Sequence, residues 1–349
     1  MNVTSVDFNS LNFASIVSNS QGSCEFYYSG PQFEVQKIAT AAAGQGAVLS
    51  ISAPGNSPNV SYVQQFAGPA LQCSEVEGTL RSQIISNVNA SSWNATTSYG
   101  YLAWVPTETY SLPFQLESLS NGYETWQLRQ DAIGPKSDAP LSLFIAAFPN
   151  FRNPYKAGGM DPNWSYTAGA TVVQCTLMNA TYSTLYKWTN GIQDLNVTVT
   201  PSGKSISYPS AVGCTNFLFM NGFPGIDIAH VSPQPLSDYN NTLVQNFAYV
   251  SVMHAFTNLL KGSIYYPRFP NGLVTSTRVM STTLGTTNEL FVLRNQTASE
   301  MEALATLGPQ FWPGISVQMQ TNDTSNLRAT LELMFQNVTM SLMSSPLLQ

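Results

Sequence analysis

Two histidines, nineteen carboxylates and four cysteines are the groups from which acid–base, thiol or metal chemistry would be built. Asp227 and His230 lie three residues apart beside Gly225, where a turn would set a carboxylate against an imidazole and orient it as a base. A surface acid beside a structurally hydrogen-bonded histidine is the preferred reading of the pair. His254 falls among the apolar positions of a helical pattern, near Phe247 and Val250, and reads as a core or boundary histidine. Glycoside hydrolysis needs two carboxylates roughly 5–10 Å apart. Glu75 and Glu77 would share one face of a strand, whereas Glu300 and Glu302 read as acids at a helix start.

The common signatures fail at particular residues. Gly203-Lys204-Ser205 lacks the glycine that a phosphate loop places five positions earlier, where Thr198 stands, and reads as a Ser-Gly turn after a strand. A dinucleotide fingerprint begun by Gly44 and Gly46 ends at Leu49. H-E-x-x-H and G-x-S-x-G are both absent. Tyr99, Tyr101 and Trp104, or Tyr265 and Tyr266, could form a platform for stacking sugars, although aromatic residues in strands usually serve the core.

Cys24, Cys73, Cys175 and Cys214 form no C-x-x-C pair and lie far from either histidine in sequence, so no metal site, redox site or cofactor is expected. Their even number predicts disulfides. The pairing expected from loop length is Cys24 with Cys73 and Cys175 with Cys214, each closing a moderate loop within one half of the chain.

The surface carries a second kind of chemistry. Asn-x-Ser/Thr sequons occur at Asn2, Asn59, Asn89, Asn94, Asn163, Asn179, Asn196, Asn240, Asn295, Asn322 and Asn337. Charged residues make up only 9% of the 349, against about 25% in ordinary soluble domains. N-linked sugars would supply the missing hydration. The net charge of −6 comes without any cluster of Lys or Arg, which argues against nucleic acid or an anionic membrane as partner.

No signal peptide follows Met1, and the longest apolar run, near Leu143 to Phe148, is far below the roughly 18 residues that cross a bilayer. The expectation is an extracellular or lumenal portion whose signal or membrane helices lie outside this sequence.

The elements that must position these groups are β-rich at first. The first 140 residues carry short apolar runs between Gly, Pro, Ser and Asn, including Ala47 to Ile51, Tyr101 to Val105 and Ser111 to Leu116. One short helix is predicted near Val35 to Ala43, ended by Gly44 and Gly46. Two alternating runs, Thr181 to Thr189 and Ile192 to Thr200, flank Asn190-Gly191, a pair suited to a type I′ turn. That turn sets Trp188, Tyr186, Thr184 and Tyr182 opposite Gln193, Leu195, Val197 and Val199 on an apolar face. The other face sets Lys187 against Asp194 as an ion pair and Leu185 against Asn196. A slip of one residue would turn Asn196 inward.

Three helices are predicted in the C-terminal third. The first, Thr242 to Lys261, repeats apolar residues from Tyr249 to Leu260 and meets Gly262 at its end. The second begins at a capping box near Thr297 to Glu302 and stops at Gly308-Pro309. The third runs from about Ser325 to Met343, with Leu327, Leu331, Met334, Val338 and Leu342 on one stripe and Arg328 paired with Glu332. The fold class is thus α+β and β-rich, with antiparallel, sandwich-like sheets. Gly203 to Pro209 and Ser232 to Asp238 are candidate linkers, but composition does not shift sharply at either. A loop-rich β region over 1–140 with a hairpin and helical region over 141–349, and one continuous ectodomain, both stand.

The segment from Ser61 to Cys73, the run from Cys175 to Tyr182, the helix over Ala248 to Gly262 and the ending Leu333 to Ser345 together resemble ectodomains of uncharacterised multipass membrane proteins of filamentous fungi. The resemblance covers most of the chain from about Val48. It implies a domain held between membrane helices, facing the cell exterior or a secretory lumen. Some members carry a formylmethionine-deformylase-like label, but without H-E-x-x-H that activity is not carried over. The combined expectation is a non-catalytic, N-glycosylated, disulfide-stapled domain that binds an unknown protein or glycan partner or serves a structural role. The alternatives are a secreted carbohydrate-active hydrolase and a carbohydrate-binding module.

Overall fold

A computed structural model of the chain describes residues 8, 13–18, 26–91, 98–105, 140–149, 151, 155–156, 159–160, 167–206, 241–266, 274–291, 293 and 326–345. In chain order the elements are β1 (Ala14–Ser18), β2 (Phe26–Pro31), α1 (Phe33–Gln45), β3 (Val60–Glu75), α2 (Gly78–Ser91), β4 (Ser98–Trp104), β5 (Ser142–Ala147), the short β6 (Tyr155–Lys156) and β7 (Gly159–Met160), β8 (Thr171–Thr189), β9 (Ile192–Ser205), α3 (Asn241–Leu260), β10 (Gly262–Tyr266), β11 (Val274–Thr275) and α4 (Leu327–Ser341). The fold is α+β, with a mostly antiparallel sheet and helices in the C-terminal part.

Seven strands form the main sheet in the order β11-β10-β4-β5-β8-β3, with β9 also paired to β8. The nineteen-residue β8 is its spine. Along one edge β8 pairs with β3 for sixteen residues of unbroken register, and along the other it pairs first with β5 and then with β9. The handover falls at Leu177, whose N–H donates to Leu141 O and whose carbonyl accepts from Ile206 N–H, each at 2.9 Å.

Asn190 and Gly191 take φ values of 52° and 78°, as a type I′ turn requires. The register that follows pairs Trp188 with Gln193, Tyr186 with Leu195, Thr184 with Val197, Tyr182 with Val199 and Leu185 with Asn196, as the sequence predicts. Lys187 stands opposite Asp194, yet the ion pair formed among the described residues is Lys37 with Glu34. Gly203 to Ser205 belong to β9, where a bulge sets several residues opposite Asn179, and residues 207–209 lie outside the described residues.

The sheet has two environments. Every residue of β5 is buried, whereas β9 alternates between half-buried and exposed positions along most of its length. β3 passes from one regime to the other, alternating up to Phe66 and then burying Gly68 to Leu71 in succession. The two-faced ribbon made by the first half of β3, the second half of β8 and β9 therefore extends from a body closed on both sides.

Helices cover the inner face. α4 packs on β3, and α1 packs against both α3 and α4. The layer opposite the ribbon is thus helical, where a sandwich would set a second sheet. α1 ends as expected, at Gly46 with φ 67°, whose N–H reaches Ala42 O at 2.9 Å. α3 and α4 match their predicted spans within a few residues, and Leu327, Leu331, Met334, Val338 and Leu342 are all buried. The helix expected after Thr297 and the run Ser111 to Leu116 lie outside the described residues. Ala47 to Ile51 form no strand. α2 was not anticipated in a region read as strands and loops, although Leu80, Ile84 and Val88 recur at four-residue spacing and bury their side chains fully or in part.

The disulfide corrects the expected pairing. Cys73 bonds to Cys175, 102 residues away, rather than to Cys24, and Cys24 and Cys214 lie outside the described residues. The two cysteines stand directly opposite each other in the β3–β8 register, with Cα atoms 4.0 Å apart. In the chain-entropy picture a loop of about 100 residues closed this way is worth roughly 4–5 kcal/mol. Such a close pair exchanges no backbone hydrogen bonds, so the Cys73 N–H points away from β8. Glu332 on α4 accepts it at 2.7 Å. That role replaces the expected Arg328 pairing of Glu332.

Candidate functional site

Among the described residues the candidate acid–base groups do not converge. Glu75 is the last residue of β3 and Glu77 lies beyond it, so they share no strand face, and both are exposed. Among the described residues no three His, Cys, Asp or Glu side chains gather where a metal ion would sit. Asp227, His230, Glu300 and Glu302 lie outside the described residues. His254 sits in α3, where burial, with Lys261 nearby as a lesser cause, lowers its pKa to about 3. The imidazole is consequently neutral at physiological pH and fits the core reading.

The first proposed aromatic platform is core. Tyr99, Tyr101 and Trp104 are no more than 2% exposed, and the Tyr101 hydroxyl donates to Leu260 O at 3.0 Å near the end of α3. Tyr265 sets its ring 5.5 Å from that of Tyr99.

The alternating pattern predicted an aromatic inner face for the hairpin, and there the rings of β8 stack on those of β3. Phe66 stacks on Tyr182 at 5.0 Å and Tyr62 on Tyr186 at 4.9 Å, with Trp188 next along the row. Burial raises the pKa of Tyr182 and Tyr186, so both hydroxyls stay protonated. Tyr182 donates to Pro69 O at 2.6 Å. The loop after α1 closes over this face: Ile51 N–H donates to Gln193 Oε1 at 2.6 Å and Leu49 N–H to Ser341 Oγ at 2.8 Å.

What remains open is the outer face, and there the sequons can be placed. Asn196 is exposed on β9, opposite Leu185. Asn59 is exposed at the ribbon tip, its Oδ1 accepting from Asn190 N–H at 2.9 Å while Gly191 N–H donates to Pro58 O. Asn179 is half-buried at the β9 bulge; its carbonyl accepts from Ser202 Oγ at 2.8 Å and its Oδ1 from the Tyr249 hydroxyl at 3.1 Å. Asn337 is 6% exposed, and its Nδ2, the atom that would carry a sugar, donates to Gly46 O at 3.0 Å. Asn89 lies in α2. Asn2, Asn94, Asn163, Asn240, Asn295 and Asn322 lie outside the described residues.

Sequence reasoning missed three contacts here: Glu332 on Cys73, Asn337 on Gly46, and Thr339, whose hydroxyl donates to Pro69 O at 3.1 Å. Asn337 and Thr339 flank Val338 on either side of the apolar stripe, so the helical pattern carried no signal for the last two. Pro69 fits the outer edge of the sheet, where its missing N–H leaves no ladder bond unmade. No helix among the described residues is long and apolar enough to cross a membrane. No family model matches this chain, and neither a curated protein nor a solved structure matches it.

Proposed function

We propose that the chain is a non-catalytic, N-glycosylated extracellular or lumenal domain of a fungal membrane protein, with an interaction or structural role. The observation that carries this reading is Asn196. Its strand turns Leu195, Val197 and Val199 inward, opposite the aromatic residues of β8, and the sequon outward, so hydrophobic pattern and modification site agree in one register. The Cys73–Cys175 bond supports an oxidising compartment. Low charge supports hydration by sugars.

The test is a site-by-site map of glycans on the chain recovered from the cells that make it, using an amidase that converts each occupied asparagine to aspartate in heavy-oxygen water. Asn59 and Asn196 are expected to carry sugar and Asn337 to be bare. A native protein with no modified asparagine would overturn the reading.

A further inference from the structure

Val63 is 63% exposed and Leu185 40%, although the opposite face of the same strands is closed by stacked rings. The two face each other across β3 and β8, and Leu185 in turn faces Asn196 across β8 and β9. Val63, Leu185 and Asn196 thus form one transverse row on the outer face, with successive members about 5 Å apart. The rows on either side are polar: Ser61, Lys187 and Asp194 on one, and Gln65, Ser183 and Thr198 on the other.

We propose that an N-linked glycan on Asn196 lies back across Leu185 and Val63 and is the cover of this apolar row. The proposal rests on the glycosylated reading given above. In the transfer that installs the sugar, Asn196 Nδ2 bonds to the anomeric C1 of an oligosaccharide carried on a lipid pyrophosphate. The C1–O bond breaks, the pyrophosphate leaves with the electron pair and the amide gives up one proton. The first N-acetylglucosamine then lies beside Leu185 and the second beside Val63. Their apolar C–H faces meet the aliphatic side chains, while hydroxyl and acetamido groups reach the polar rows. The position of Val63 makes the cover consequential. Val63 and Cys73 are ten positions apart in unbroken register, an even step, so the Val63 N–H also points away from β8. The row therefore ends at a strand edge that, among the described residues, no other strand pairs with.

The experiment compares the secreted wild-type chain with Asn196→Gln, Asn59→Gln and a triple variant, Asn196→Gln with Leu185→Lys and Val63→Thr. Self-association is read by sedimentation equilibrium and apolar exposure by a hydrophobic dye. Asn196→Gln is expected to tighten self-association about tenfold and to raise dye binding. Asn59→Gln should do neither, and the triple variant should return to wild type. If Asn196→Gln is not secreted, glycan is removed enzymatically from folded wild type and from the Leu185→Lys, Val63→Thr double variant, and only the wild type is expected to gain self-association and dye binding. An occupied Asn196 whose loss changes neither signal overturns the cover. A bare Asn196 beside an occupied Asn59 overturns the cover alone, and both sites bare overturn the glycosylated reading with it.

Discussion

Asn196-Val197-Thr198 and Asn337-Val338-Thr339 are the same tripeptide in two regions that treat it oppositely. On β9 the asparagine and threonine both face solvent, because positions i and i+2 share a strand face, and the valine between them turns towards the core. On α4 every residue from Asn337 to Ser341 is buried, and the helix packs against α1 and β3. There Asn337 holds the end of α1 and Thr339 holds the edge of β3. A motif read by an enzyme in an extended chain therefore becomes a surface handle in one element and a packing device in the other.

The comparison breaks most visibly in the aliphatic neighbours of each tripeptide. Leu331→Ala, in the buried stripe of α4, is expected to cost about 2–5 kcal/mol in denaturant unfolding. Leu185→Ala on the open face should cost less than about 1 kcal/mol. Equal losses would mean that the ribbon face is as enclosed as the helix. Next in size, Asn337→Ala removes the donor from Gly46 O and should cost about 1–3 kcal/mol. Asn196→Gln in unglycosylated protein should stay within about 0.5 kcal/mol.

Acid titration separates the regions by another route. His254 belongs to the helical layer, and its pKa falls from 6.5 to about 3 on folding. A depressed folded pKa means that the unfolded chain binds the proton more readily, so stability is full above pH 6.5 and declines from there towards pH 3. His254→Gln should flatten that part of the profile. An unchanged slope would place the acid sensitivity elsewhere. In the glycan map the smallest difference is the most specific: Asn196 modified and Asn337 bare, despite identical tripeptides.

The hairpin was legible because everything that sets it is local. A two-residue turn with positive φ and a period-two pattern leave one register in which the aromatic side chains go inward. α3 and α4 were legible for the same reason at helical period. The candidate sites were not. Cys73 meets Cys175 only because β3 and β8 pair over their whole shared length, and loop length alone favoured nearer partners. Glu332 looked like half of a helix-surface ion pair, yet its helix lies along β3 where an outward N–H needs an acceptor. α2 stayed hidden because its short apolar stripe is diluted by Ser, Asn and Gly.

By itself the sequence determined the turn at Asn190-Gly191, the inward face of each amphipathic run and the two helices with a continuous stripe, since each depends on backbone geometry over a few neighbouring residues. The tertiary structure alone decided which cysteines meet, which sequon amide is free and which carboxylate caps a strand edge. Those outcomes depend on the register between strands and the seating of a helix, which no window of neighbouring residues contains.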